Sequence, residues 1–210
     1  MRPYEKAFRK VSDLIGERGL KISRLDLGGG LGVVYNPTSD NPPNVEEYAK
    51  LIQEVYGSMD LEIEVEPGRF IVADAGILVS SVLYKKTGEN RNFLVIDAAM
   101  NDLIRPAMYS SYHEIKPILE PRNPTTSPYD VVGPVCESSD TFAENRQLPE
   151  LQAWDLLAFM TAGAYTTVMA SEYNTRPMVS EIMVRENKWA FIRKSPSIEE
   201  ILSTDIIPTW

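Results

Sequence analysis

Three short stretches of this 210-residue sequence combine residue types that could do chemistry. The first is Asp26-Leu27-Gly28-Gly29-Gly30-Leu31-Gly32. Three consecutive glycines after an apolar stretch leave backbone amides open to a phosphate or another anion. A tight turn that needs positive φ is the other reading of such a run, and the spacing is neither that of a Walker loop nor of a dinucleotide fingerprint. The second is Glu64-Val65-Glu66-Pro67-Gly68-Arg69, which sets a carboxylate and a guanidinium at the end of an apolar strand, the face where barrel enzymes build their sites. Its plain alternative is a surface ion pair at a turn. The third is Gly133-Pro134-Val135-Cys136-Glu137-Ser138-Ser139-Asp140, a cysteine among carboxylates with no histidine or lysine beside it. Nearby negative charge favours the protonated thiol, which suits a proton donor better than a nucleophile. A buried structural cysteine is the common reading when context is lacking.

Composition narrows the classes of function. The chain is 43% hydrophobic and 24% charged with a net charge of -9, and its lysines and arginines are scattered, so a nucleic-acid partner is not expected and a small-molecule ligand is. One cysteine and one histidine, Cys136 and His113, rule out an internal disulfide and an ordinary zinc site, so no metal is expected. No window approaches the roughly 18 to 20 apolar residues of a membrane-spanning helix, and Met1-Arg2-Pro3-Tyr4 leads into no signal-peptide pattern. A cytoplasmic protein is the expectation.

The elements that must position these residues change in kind along the chain. Tyr4, Ala7, Phe8, Val11, Leu14 and Ile15 recur at helical spacing up to Gly16 and Gly19, and the short apolar strand Leu25-Asp26-Leu27 follows. After the polar loop 36–43, Val45, Tyr48, Leu51, Ile52 and Val55 repeat the helical pattern before a strand over 61–65. Helices alternating with strands imply a parallel sheet or a (β/α) barrel, of which residues 1–75 supply about two strands. From there the texture is antiparallel: Ile77 to Tyr84, a Thr87-Gly88-Glu89-Asn90 turn and Asn92 to Ile96 form a hairpin pattern, and further apolar runs lie at 154–161 and 178–184. The expected fold class is α/β plus β, with residues 1–75 the C-terminal part of a (β/α)8 barrel and 76–210 a β-rich barrel or sandwich domain.

Taken together, the stretches LDLGGGLGV, EPGRFIVADAGILV, IDAAMNDLIRPAMY, GPVCESSD, AGAYTTVMASEYN and RP stand in an order that resembles the fold-type III pyridoxal-phosphate decarboxylases, the family acting on ornithine, diaminopimelate and arginine. Within it the match to the diaminopimelate branch is close. The resemblance implies a (β/α)8 barrel followed by a β-rich domain, pyridoxal 5'-phosphate as cofactor, and a homodimer with active sites shared between subunits. It implies decarboxylation of meso-2,6-diaminopimelate to L-lysine. The alternatives are a related basic amino acid or polyamine precursor as substrate, or a non-catalytic homologue that binds or regulates.

The resemblance also implies roles. Gly28, Gly29 and Gly30 hold the cofactor phosphate, with Pro67, Gly68 and Arg69 of the second motif around the cofactor. Glu66 faces the pyridine nitrogen and keeps it protonated, which lets the ring accept electrons. Arg69 lies between phosphate and substrate, and Tyr165 reaches both cofactor and substrate. Arg105 and Tyr109 grip the substrate's distal carboxylate, a planar group suited to a bidentate guanidinium. Glu137 binds the distal ammonium, and Cys136 is the proton donor, reaching in from the partner subunit. An end that is both carboxylate and ammonium distinguishes diaminopimelate from ornithine. The family's Schiff-base lysine and ring-stacking histidine belong to the N-terminal barrel half, and neither motif is present here. The expectation is a fragment that is inactive in isolation.

Overall fold

The computed structural model describes residues 1–42 and 44–210, so position 43 of the loop expected over 36–43 lies outside the described residues. Two compact units divide the chain, Met1–Ala75 and Gly76–Trp210.

In the first unit, helix α1 (Arg2–Arg18) runs through Gly16 and stops at Gly19, whose φ of 59° lets the chain turn left-handed while Gly19 and Leu20 donate back to the last carbonyls. The helical spacing is therefore strong enough to carry Gly16 inside the helix. Strand β1 (Arg24–Asp26) follows, then α2 (Val45–Tyr56), capped by the Asn44 side chain, which accepts from the amides of Glu46 and Glu47. Strand β2 (Glu62–Glu64) pairs with β1 in parallel, with Asp26 opposite Glu64. A short helix, α3 (Gly68–Val72), closes the unit's second strand-to-helix turn. The core is aromatic: Phe8, Tyr48 and Tyr56 are buried, the rings of Tyr4 and Tyr48 meet edge-on at 5.2 Å, and the Tyr56 hydroxyl donates to the Phe8 carbonyl at 2.9 Å. Leu25 and Ile63 are only half-buried, and Val65, Phe70, Ile71 and Val72 are exposed.

The second unit is built on strands β3 (Leu78–Thr87), β4 (Asn92–Ile96), β5 (Ile115–Pro117), β6 (Thr126–Val132), β7 (Thr141–Pro149) and β8 (Leu156–Phe159), with helix α4 (Arg105–Tyr109) between β4 and β5. Among the described residues they form one six-stranded sheet in the order β5-β8-β3-β4-β6-β7. The β3–β4 hairpin is present as the alternation of apolar residues predicts. One pairing, β4 with β6, is parallel, so the sheet is mixed. Val82, Leu94, Ile96, Val131, Leu157 and Phe159 make its core, and the Phe142 and Phe159 rings lie 4.9 Å apart. A separate antiparallel pair, β9 (Glu181–Arg185) and β10 (Lys188–Arg193), precedes helix α5 (Ile198–Leu202), whose Ser197 and Glu200 form a reciprocal cap. No helix among the described residues is long and apolar enough to cross a membrane.

Candidate active site

In the first unit the parallel pairing brings the first two motifs together. Glu64 lies opposite Asp26, the amide of Leu27 donates to the Glu64 carbonyl at 3.0 Å, and the amide of Glu66 donates to the Gly28 carbonyl at 2.9 Å. Gly28 and Gly30 take φ of 70° and 88°, a region that favours glycine. Gly29 is needed for a different reason: a Cβ there would collide with the backbone carbonyl of Glu66. The run is thus a turn with positive φ at Gly28 and Gly30, and Gly29 must lack a side chain because the Glu66 backbone approaches it. The Gly28 amide is engaged by Asp26 Oδ1 at 2.7 Å. Glu66 is exposed beside them, its carbonyl accepting from the Gly68 amide at 2.8 Å.

Arg69 is half-buried: its Nη1 donates to the Tyr35 hydroxyl at 2.7 Å, with the guanidinium 5.6 Å from the Tyr35 ring centre. Tyr35 is in turn held by Asp40, whose carboxylate accepts the amides of Asn36 and Tyr35 at 2.8 and 2.9 Å. Those two bonds, that to Asn36 first, hold the Asp40 carboxyl below the usual carboxylate range. Tyr35 carried no motif of its own. Its signal is its place, just beyond the glycine run.

In the second unit the remaining candidates lie on connections that follow β4, β6 and β8. β4 and β6 run parallel, and β8, antiparallel to β3, runs the same way, so their carboxyl ends share an edge. Arg105 and Tyr109 lie on α4 after β4, Cys136 and Glu137 on the β6–β7 connection, and Tyr165 in the segment after β8. The connections that carry residues up to 60 positions apart in sequence, from Arg105 to Tyr165, thus leave the sheet at the same end. Cys136 is exposed, which removes the reading of a buried structural thiol. Glu137 accepts from the Ser139 hydroxyl at 3.2 Å.

Arg105 is only 6% exposed, and its Nη1 lies 2.9 Å from His113 Nε2, while His113 Nδ1 is 2.9 Å from the Met160 carbonyl. A guanidinium can only donate and a carbonyl can only accept, so these two bonds require a neutral imidazole with its proton on Nδ1. Tyr109, one helical turn on, is 60% exposed. Tyr165 takes a φ of 54°, unusual for a residue with a side chain, and the hydroxyl of Thr166 beside it is buried without a partner among the described residues. Arg146 donates to the His113 carbonyl at 2.8 Å and stacks 4.0 Å over the Tyr112 ring, and burial pushes its guanidinium below its ordinary value. Sequence reading gave no site role to His113, Tyr35 or the arginine of the RP pair, Arg176, whose Nη2 donates to the Asp97 carbonyl at 2.7 Å and whose Nε donates to Asn101 Oδ1 at 3.0 Å.

Residues 26–163 match the family described as pyridoxal-dependent decarboxylase, C-terminal sheet domain. The chain belongs to the pyridoxal-dependent decarboxylases. It is 43% identical over 215 residues to the diaminopimelate decarboxylase of Zymomonas mobilis, covering 100% of this chain and 50% of that protein. Among solved structures, that of the diaminopimelate decarboxylase of Helicobacter pylori complexed with L-lysine superposes with a TM-score of 0.87 at 40% identity, over 96% of this chain and 50% of that one. A lysine/ornithine decarboxylase of Vibrio vulnificus, complexed with cadaverine, is less similar, with a TM-score of 0.69 at 30% identity over 83% of this chain and 48% of that one. The chain spans about half the length of the curated relatives it matches. Membership of the family implies a pyridoxal cofactor. The described residues fit one: a backbone cradle at Gly29 and Gly30, a carboxylate at Glu66 tied to it, and a guanidinium at Arg69 on the following turn.

Proposed function

We propose that this chain contributes the phosphate cradle, the substrate-recognising residues and the proton donor of a decarboxylase that converts meso-2,6-diaminopimelate to L-lysine. The observation that carries the reading is the bond from the Glu66 amide to the Gly28 carbonyl, which ties the backbone of the glycine run to the residue whose carboxylate suits a pyridine nitrogen. Bound pyridoxal phosphate supplies the electron sink for the pair released as carbon dioxide leaves. Gly29 and Gly30 donate their amides to the phosphate, with Pro67 and Gly68 shaping the turn and Arg69 placed toward both phosphate and substrate. Glu66 holds a proton at the pyridine nitrogen. Arg105 and Tyr109 bind the distal carboxylate of the substrate, Glu137 binds its distal ammonium, and Tyr165 orients the reacting end. Cys136 Sγ–H gives its proton to the carbon from which carbon dioxide has left.

Residues 1–75 are the C-terminal part of a (β/α)8 barrel in this reading, and 76–210 a β-rich domain. A parallel pair whose strands are half-buried and flanked by exposed apolar side chains supports this, because parallel sheets are ordinarily covered on both faces. The protein is cytoplasmic and works as a homodimer, with Cys136 and Glu137 serving the partner's cofactor. The diaminopimelate assignment is favoured by the relatives above, one of them in complex with L-lysine.

The test is a substrate panel on the full-length protein loaded with cofactor. Carbon dioxide release and lysine formation from meso-diaminopimelate are expected, with ornithine and lysine turned over at least about 100-fold more slowly, since each lacks the distal carboxylate. Comparable turnover of ornithine overturns the substrate assignment. Turnover of none of the three favours a non-catalytic homologue.

A further inference from the structure

The loop that carries Cys136 is closed by a single carboxylate. Asp140, 3% exposed, accepts the amide of Val135 through Oδ2 at 2.8 Å and the amide of Met100 through Oδ1 at 2.7 Å. Its backbone completes the closure: its carbonyl accepts from the Gly133 amide at 2.9 Å, and its amide donates to the Glu137 carbonyl at 3.0 Å. Gly133 has room for nothing larger than hydrogen, because a Cβ there would collide with the Asp140 carboxylate. The Met100 bond ties the loop to the segment after β4, and that segment is gripped by Arg176 through the Asp97 carbonyl and Asn101 Oδ1.

An exposed thiol on an eight-residue connection has no fixed position unless the connection is pinned at both ends and in the middle. Asp140 does this with one buried group: it joins residue 133 to 140, reaches back to 135, next to the cysteine, and anchors the whole to a neighbouring connection at the same edge of the sheet. We propose that Asp140 is the positioning residue for Cys136, setting the place from which the thiol delivers its proton. The inference rests on the reading of Cys136 as proton donor. In that step the S–H bond breaks, a C–H bond forms from the electron pair left on carbon, and sulfur keeps its pair as thiolate until solvent reprotonates it.

Two variants of the full-length, cofactor-loaded protein test this. Asp140→Asn keeps the shape but turns an NH2 group toward one of the two amides, leaving a donor facing a donor. Gly133→Ala displaces the carboxylate without altering its charge, and serves alone if Asp140→Asn does not fold. Hydrogen exchange at the Met100 and Val135 amides is expected to accelerate by about tenfold or more in both. kcat should fall by about 10- to 100-fold while KM stays within about twofold, and lysine made in heavy water should lose stereospecific deuterium at the decarboxylated carbon. In a Cys136→Ala background, Asp140→Asn should lower kcat no further. Faster exchange with unchanged kcat and stereochemistry overturns the proposal, and so does an undiminished effect of Asp140→Asn in the Cys136→Ala background. Full activity and stereospecificity in Cys136→Ala itself overturns the proton-donor reading, and the role of Asp140 falls with it.

Discussion

Replacing Gly29 with alanine probes the glycine loop where it meets the second motif. Its φ lies outside the left-handed region that Gly28 and Gly30 occupy, so alanine is not strained there by its own backbone. The difficulty is contact: the new Cβ would collide with the Glu66 carbonyl oxygen and lie 3.2 Å from its carbon. Glu66 cannot yield freely, because its carbonyl accepts from Gly68 at 2.8 Å and its amide donates to Gly28 at 2.9 Å. Forcing a methyl into a closed space costs about 1–3 kcal/mol, and loss of one of those hydrogen bonds adds about 1 kcal/mol. The stability loss expected is about 2–4 kcal/mol. If the loop moves to relieve the clash, the Gly29 and Gly30 amides leave the phosphate, and loss of one charge-assisted bond lowers cofactor affinity by about 10- to 100-fold. Gly28→Ala is the control: its Cβ meets nothing within 4 Å but sits at φ +70°, so it should cost about 1–2 kcal/mol of strain with a smaller change in affinity. The assay is titration of cofactor-free full-length protein with pyridoxal phosphate, followed by absorbance, beside a denaturant melt. A Gly29→Ala protein that binds cofactor within twofold of the parent and melts at the same denaturant concentration would refute both the clash and the cradle.

Three further perturbations follow from the second unit. Phe159→Ala removes a ring with no exposed surface that packs 4.9 Å from Phe142, and should cost about 3–5 kcal/mol in chemical denaturation; a loss under about 1 kcal/mol contradicts the core assignment. Burial holds the carboxyls of Asp102 and Asp140 above the ordinary 3.8, so the folded chain takes up protons at higher pH than the unfolded chain does. Their contribution to stability is then fully present below 3.8 and is lost as pH rises through the folded values, by up to about 1.4 kcal/mol per pH unit per proton. Asp102→Asn should flatten this fall in denaturant melts run just above that pH, and an identical slope in the two proteins removes Asp102 as its source. Mixing Cys136→Ala subunits, which keep only a small residual rate, with subunits lacking the cofactor lysine should restore about a quarter of wild-type activity, since half the dimers are mixed and each has one complete site. No recovery despite measured subunit exchange returns Cys136 to a role outside a shared site.

Much of the local structure is legible in the sequence because its causes are short-range. Helical spacing of Tyr4, Phe8, Val11 and Ile15 locates α1, that of Val45, Tyr48, Leu51 and Val55 locates α2, and the apolar runs on either side of the turn at Gly88 locate the β3–β4 hairpin. The same rules set Gly16 and Gly19 at the end of α1, and the helix runs through the first and stops at the second, because a single glycine inside a good helix costs only about 1 kcal/mol. The parallel pairing of β4 with β6 has no local signature, since the residues that pair are 37 positions apart at Phe93 and Asp130.

Residue types and their order were sufficient to mark the glycine run, the EPGR turn and the Cys136 loop, and to point to the family. Sequence alone could not tell that Gly29 is pressed against the Glu66 carbonyl, that Arg69 turns to Tyr35, or that His113 is a neutral bridge from Arg105 to the Met160 carbonyl. Nor could it tell that Asp140, the last residue of GPVCESSD, is the buried group that closes the loop. The physical reason is the same in each case. Propensity and periodicity act over a few residues, whereas a hydrogen bond or a steric contact depends on which distant segments the sheet sets side by side.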